Sequence, residues 1–387
     1  MSQRVAIYAL VLAFAIMFGT TSLGQQPGAT PLNSSSTGKP ARQDQQESIK
    51  INVEEVQIPI AAYDAYGRLD PTLDLNDVLI LENGVRQEAR SVRRVTASVL
   101  LLLDTGGEIN SAKNIRATRE IARNLVSSLA PQDQISVMQF NSNVELLQDW
   151  TSEKGQVTQV LETGLLSGKR AALSPALDAA VNQFRTQPVG CRHLVLVTDG
   201  VETPGTKPRR AEAIERLLAS NATVHVISYT KISREATNQA LRIARNRDKS
   251  TTPDAVINSL PPDDHGPVKG GSFYLRQIHK PGGKTLDLDL GRRRQIKLYQ
   301  EAMIEGEFML TSLSKETGGS IWLSESLDQM IADGSKVARL IDAGYVITYR
   351  PSPALTSSTN QIRHVEIVSR RVGLNIVSRR SYVVGAQ

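Results

Sequence analysis

From Ser98 the chain runs apolar without a break to Leu103 and stops on a carboxylate, Asp104, in the stretch "SVLLLLD". A run with no polar alternation suits a parallel strand covered on both faces. After it, Ile115, Ile121, Ala122, Leu125, Val126 and Leu129 fall at helical spacing and predict an amphipathic helix. "DQISVMQF" and "VELLQDW" then read as two strands joined by "NSN", followed by helices near 152–163 and 174–186. "HLVLVTDG" is a second buried strand ending on a carboxylate, Asp199, and "RRAEAIERLLASNATVHVISYT" is a helix leading into a third strand. "SLSKETGGSIWLSESLDQMIADGSKVARLI" supplies helix, strand and helix again. This alternation predicts an α/β fold with a doubly wound, mostly parallel sheet. Ligands of such sheets sit beyond the carboxyl ends of the strands, where Asp104 and Asp199 lie.

The pattern is different at both ends. Residues 48–95 read as short alternating strands, with Asn83-Gly84 in "DVLILENG" marking a hairpin turn. Residues 346–387 repeat the texture in "IRHVEIVSRR" and "LNIVSRRSYVV", so the two ends are expected to pack as a small accessory β layer. A thin sheet of this length needs something to pack against. Between the third parallel strand and the next helix, residues 245–300 are rich in Pro, Gly and charge. They read as an insertion emerging at the strand-end face, since so long a connection is functional or disordered.

Residues 1–24 put Arg4 before an apolar stretch and end with Ser22 and Gly24 at spacing suited to cleavage, the pattern of a signal peptide. The competing reading is an uncleaved anchor over residues 5–24, which just reach the roughly 20 residues of a spanning helix. Residues 25–47, rich in Pro, Gly, Ser and Gln, read as a flexible linker. Either way the folded part is expected outside the cytoplasm, secreted or periplasmic, or held at the inner membrane, with no spanning segment once the signal is removed.

Composition narrows the chemistry. The 387 residues carry a net charge of +6, spread over arginine doublets and one triplet. Only 4% of the chain is aromatic, too little for a groove that binds nucleic acid by stacking. The single cysteine, Cys191, excludes an internal disulfide framework and reads as a small buried hydrophobe. The five histidines form no i, i+4 pair and no H-E-x-x-H, which leaves zinc protease chemistry without support. No G-x-S-x-G occurs.

The quoted segments together resemble the von Willebrand factor type A domain over residues 97–345, with "VLLLLDTGGEI" as the first strand and "HLVLVTDGVETPG" as the fourth. The order of signal peptide, short β region with an "ENG" turn, central domain and "YVITYRPS" strand is similar to a bacterial, acidobacterial-type subgroup. In the family, a D-x-S-x-S motif, a threonine and a later aspartate form a metal-ion-dependent adhesion site completed by a ligand carboxylate. Here Asp104 and Asp199 match, whereas Gly106 and Glu108 stand at the serine positions and Ala171 at the threonine. Glycine and alanine offer no side-chain oxygen to a hard cation such as Mg²⁺.

The resemblance therefore implies an exported bacterial protein that binds a protein partner in the cell envelope or outside the cell, without catalysis, through a degenerate adhesion site. A second expectation keeps a divalent cation on Asp104, Glu108 and Asp199. A third fills the site with Lys169 or Arg170 as an internal cation, and a fourth, of another class, is a hydrolase using the same carboxylates as acid and base. Fold alone does not choose among them.

Overall fold

The computed structural model describes residues 55–107, 115–203, 209–247, 290–352 and 362–383, and strands and helices are numbered in chain order. Six strands form the central sheet in the spatial order β10 (Ile321–Leu323), β9 (Thr223–Ser228), β8 (Arg192–Thr198), β5 (Ser98–Asp104), β6 (Gln134–Phe140) and β7 (Val144–Thr151). Every neighbouring pair is parallel except β6 with β7. The covering helices are α1 (Ile115–Ser128), α2 (Lys154–Thr163), α3 (Leu173–Gln183), α4 (Arg210–Ala219), α5 (Thr230–Arg247), α6 (Leu290–Glu316) and α7 (Leu327–Asp342).

Strand β5 shows why the apolar run has no alternation. Val99, Leu101 and Leu103 point into a core shared with α1, α2 and α7, while Leu100 and Leu102 point into the opposite core with α3, α4 and α6. All five are fully buried. At roughly 1.5–3 kcal/mol for each buried Leu or Val, they supply on the order of 10 kcal/mol. That anchors the strand firmly enough to hold a buried carboxylate at its end.

Helix α6 changes the reading of the insertion. Residues 245–247 finish α5, and α6 begins at Leu290, so both ends of the 245–300 segment are helical. Ile296, Met303, Leu310 and Leu313 of α6 are buried, at spacings of two turns and then one. Its apolar face thus runs back beyond the point where the Gly- and Pro-rich texture suggested a loop. Residues 248–289, and residues 1–54 with the stretches read as a signal peptide and a linker, lie outside the described residues. Among the described residues, no helix is long and apolar enough to cross a membrane.

Strands from both chain ends form two antiparallel sheets. One has the order β13 (Asn375–Ser378), β1 (Val56–Tyr63), β11 (Tyr345–Tyr349), β4 (Ala89–Arg93); the other has β14 (Ser381–Val383), β12 (Ile362–Ser369), β2 (Val78–Glu82), β3 (Val85–Gln87). Ile58, Ile60, Tyr349, Ile80 and Ile367 share one core between them, making a sandwich. Asn83 (φ 47°) and Gly84 (φ 80°) form the two-residue turn that pairs Glu82 with Val85. Two successive positive φ values give the turn whose twist matches the flanking strands.

The outer face of the β1 sheet lies against the N-terminal edge of the parallel sheet. Pro59 and Ala61, pointing away from the sandwich core, are buried there. A Cβ at Gly190, just before β8, would come within 2.9 Å of Gln57 Oε1 and 3.3 Å of Val346 Cγ1. Arg379, only 2% exposed, crosses the same joint and donates from Nη2 to the carbonyl of Leu218 in the last turn of α4.

Candidate functional site at the strand ends

Asp104 ends β5 and is fully buried. Its Oδ1 accepts from the backbone N–H of Gly106 at 3.0 Å, and its Oδ2 accepts from the Thr198 hydroxyl at 2.6 Å. Thr198 is the last residue of the adjacent β8, and its Oγ1 accepts in turn from the N–H of Gly200 at 3.0 Å. Asp199, also fully buried, accepts at Oδ1 from the N–H of Val201 at 3.1 Å and at Oδ2 from the Tyr299 hydroxyl of α6. The ends of the two central strands are thus tied to each other and to a helix from much later in the chain.

Two glycines bring that helix in. A Cβ on Gly306 would lie 2.7 Å from the carbonyl oxygen of Gly200, and one on Gly200 (φ +71°) would lie 3.0 Å from the Gly306 Cα. Seven residues, or two helical turns, separate Tyr299 from Gly306, so both project from the same side of α6. Close backbone contact at one and a hydroxyl at the other seat α6 over Asp199.

The position where the family carries its first serine is closed by backbone. The 168–171 loop bonds directly to the strand end: Gly168 N–H donates to the Thr105 carbonyl at 3.0 Å, and Gly107 N–H donates to the Gly168 carbonyl at 3.1 Å. A Cβ on Gly106 would fall 1.9 Å from the carbonyl oxygen of Arg170. A serine therefore does not fit unless the loop moves. Lys169 and Arg170 are themselves exposed. The internal-cation expectation gives way here to a different arrangement, in which hydroxyls of Thr198 and Tyr299 serve the aspartates and Arg170 contributes its carbonyl.

Ala171, at the threonine position, is buried and exchanges two hydrogen bonds with Thr203: its N–H donates to Thr203 Oγ1 at 2.9 Å, and its carbonyl accepts from the Thr203 N–H at 3.0 Å. Next to it, the buried Glu202 accepts from the N–H and the hydroxyl of Ser174, both at 2.9 Å, and from Arg210 Nε at 2.9 Å. Arg210 continues to Glu305 of α6 at 3.2 Å. No sequence motif marks Tyr299, Glu202 or Arg210 as site residues; Arg209 and Arg210 form one of the arginine doublets, and the usable signal is Glu202, three residues after Asp199.

The structure thus brings Asp104 and Asp199 to neighbouring strand ends, while Glu108 lies outside the described residues. Among the described residues, no group of three or more His, Cys, Asp or Glu side chains has the geometry to hold a metal ion. At two of the positions where the resemblance calls for hydroxyl ligands, backbone lies against Gly106 and Ala171 has no side-chain oxygen. Those two positions do not offer the oxygens a hard cation needs.

Residues 98–257 match the sequence model of the von Willebrand factor type A domain. Among solved structures, the chain is similar to an aerotolerance-related membrane protein from Bacteroides fragilis, at 15% identity and a TM-score of 0.36, over 63% of this chain and 98% of that one. BatB from Bacteroides thetaiotaomicron gives the same values. Manganese-loaded TRAP from Plasmodium vivax is similar at 17% identity and a TM-score of 0.30, over 45% of this chain and 61% of that one. No curated protein matches the chain. The strands that end on Asp104 and Asp199 accordingly lie in a region, residues 98–257, that matches the von Willebrand factor type A domain.

Proposed function

We propose that this chain is an exported, non-enzymatic binding protein whose A domain recognises a protein partner at the strand-end face without a bound metal ion. The observation that carries this reading is the closure of the site: Asp104 and Asp199 are buried and engaged by Thr198 and Tyr299, and the Arg170 carbonyl occupies the place of the first serine. A partner then meets the outside of this face, including the exposed Lys169 and Arg170, rather than a metal at its centre. Charged side chains at a rim act mainly on association rate and specificity. An acidic partner surface is the complement of these two.

The test is capture of a partner from an envelope extract on the immobilised protein in EDTA, beside a Lys169→Glu, Arg170→Glu double variant. We expect capture in EDTA, weakened on the order of tenfold by the charge reversal. Capture that requires Mn²⁺ or Mg²⁺ would support metal-dependent adhesion through Asp104, Glu108 and Asp199 instead. Capture indifferent to the reversal would place the binding surface elsewhere.

A further inference from the structure

Far from the aspartates, the joint between the parallel sheet and the β-sandwich contains two imidazoles. His193 of β8 and His225 of β9 stack with ring centroids 5.5 Å apart and planes inclined by 15°, and His193 Nδ1 lies 3.2 Å from His225 Nε2. His225 is 2% exposed and its Nδ1 has no hydrogen-bond partner. The hydroxyl of Thr223, which pairs with His193 across the strands, is likewise buried and without a partner.

These groups line a cavity of about 30 Å³ walled by Pro59 and Ala61 of β1, Leu340 and Ile341 of α7, and Tyr345 and Val346 of β11. The cavity is large enough for water. Among the described residues its walls carry no carboxylate, lysine or arginine, and Tyr345 is the one other titratable side chain. Of the groups behind the walls, the Arg94 guanidinium sits 5.3 Å from the centre of the Tyr345 ring, and the neutral Trp322 of β10 packs 6.4 Å from His225. The strand on the other side of β8 presents Val99 opposite His193.

One N–H···N bond between stacked rings suits two neutral imidazoles. A proton added to either places a cation in an apolar joint with no anion to receive it, and a second proton stacks two cations. The cavity has room for at most a water or two, too few to hydrate a cation fully, so the charge favours separation of the walls, because a buried unpaired charge is strongly disfavoured. We propose that the His193–His225 stack is an acid-sensitive latch: neutral, it closes the joint between the A domain and the β-sandwich, and protonated, it opens that joint.

Partial burial lowers His193, which is half-buried, and burial together with its neighbour holds the fully buried His225 well below the usual imidazole range. The sign follows from linkage. The open or unfolded form takes up protons near 6.5 and the closed form only at lower pH, so closure is fully favoured above about 6.5 and is lost as pH falls below it. Each such group weakens closure about tenfold per pH unit within that window.

The experiment is hydrogen–deuterium exchange of the full chain between pH 7 and pH 4.5, corrected for intrinsic rates. It compares residues 57–61 and 345–348 at the joint with β6 as an internal control. In the native protein, exchange at the joint should rise by about tenfold to a hundredfold per pH unit below about 6, as one or both rings take up a proton on opening, while β6 stays protected. His193→Gln with His225→Gln should remove that dependence, and His193→Gln alone, the milder change, should reduce it. NMR of the imidazole C–H groups should show neither ring titrating above pH 5.5. The latch is overturned by joint exchange that tracks β6 at every pH, by an unaltered acid response in the variants, or by a ring that titrates near 6.5.

Discussion

Gly106 decides more about this site than either aspartate. In a strand-end motif that calls for a serine, the missing side chain reads from sequence as a lost metal ligand. The structure adds the physical reason, since the carbonyl of Arg170 occupies the space a Cβ would need. Restoring the family residue should therefore damage the protein rather than repair the site. Gly106→Ser is expected to destabilise by about 2 kcal/mol or more, the scale of overpacking against backbone, and urea unfolding would measure it. An unchanged midpoint would mean that the 168–171 loop moves aside freely. Asp104 and Asp199 were legible because an apolar run that stops on a carboxylate is a local pattern. Contact between Gly106 and Arg170 was not, because it joins residues 64 apart in sequence and depends on how a loop lies across a strand end.

At the level of elements, α6 is the piece whose place in the fold the sequence only half disclosed. Its later turns were plain in "SLSKETGG", but the earlier ones fell inside a segment whose Pro and Gly content suggested a loop. Periodicity was the better guide, since Ile296, Met303, Leu310 and Leu313 mark one continuous buried face. Tyr299 on this helix donates to the buried Asp199, and hydrogen bonds to charged acceptors are worth more than neutral ones. Tyr299→Phe is expected to cost about 2 kcal/mol and to speed amide exchange in the first half of α6. The second readout distinguishes loosening of the helix from a general loss of stability. No change in either would mean that the Gly200–Gly306 contact seats α6 without the hydroxyl.

Across the whole molecule, the alternation of strands and helices made the parallel sheet legible, and Asn83-Gly84 made one hairpin legible. Which distant strands pair was another matter. β1 takes β11 and β13 as neighbours, and β2 takes β12, pairings fixed by packing rather than by any local signal. Two buried arginines meet at the end of α4, and one of them, Arg379, crosses the joint between the two parts. Arg379 donates to the carbonyls of Ser381 and Leu218, and Arg192 to those of Gln187 and Ser220, so the C-terminal end of α4 receives two cationic donors. Positive charge there is favoured by the unpaired carbonyls and the helix dipole. Burial even lowers the Arg379 guanidinium to about 10, still far above neutral pH. Arg379 and Arg380 read in the sequence as a solvated doublet, because charge alone does not reveal which side chains another part of the chain will cover. The molecule that results is an A domain carried on a β-sandwich, with its acidic strand ends at the edge away from that joint.

The central claim is that these strand ends are closed by the chain's own groups and need no metal. Calorimetric titration of Mg²⁺, Mn²⁺ and Ca²⁺ into the metal-stripped protein, with Asp104→Ala and Asp199→Ala as controls, tests it most directly. We predict no saturable heat up to millimolar metal in any of the three proteins. Saturable binding that both substitutions abolish would contradict the account and establish the two aspartates as ligands of a working adhesion site.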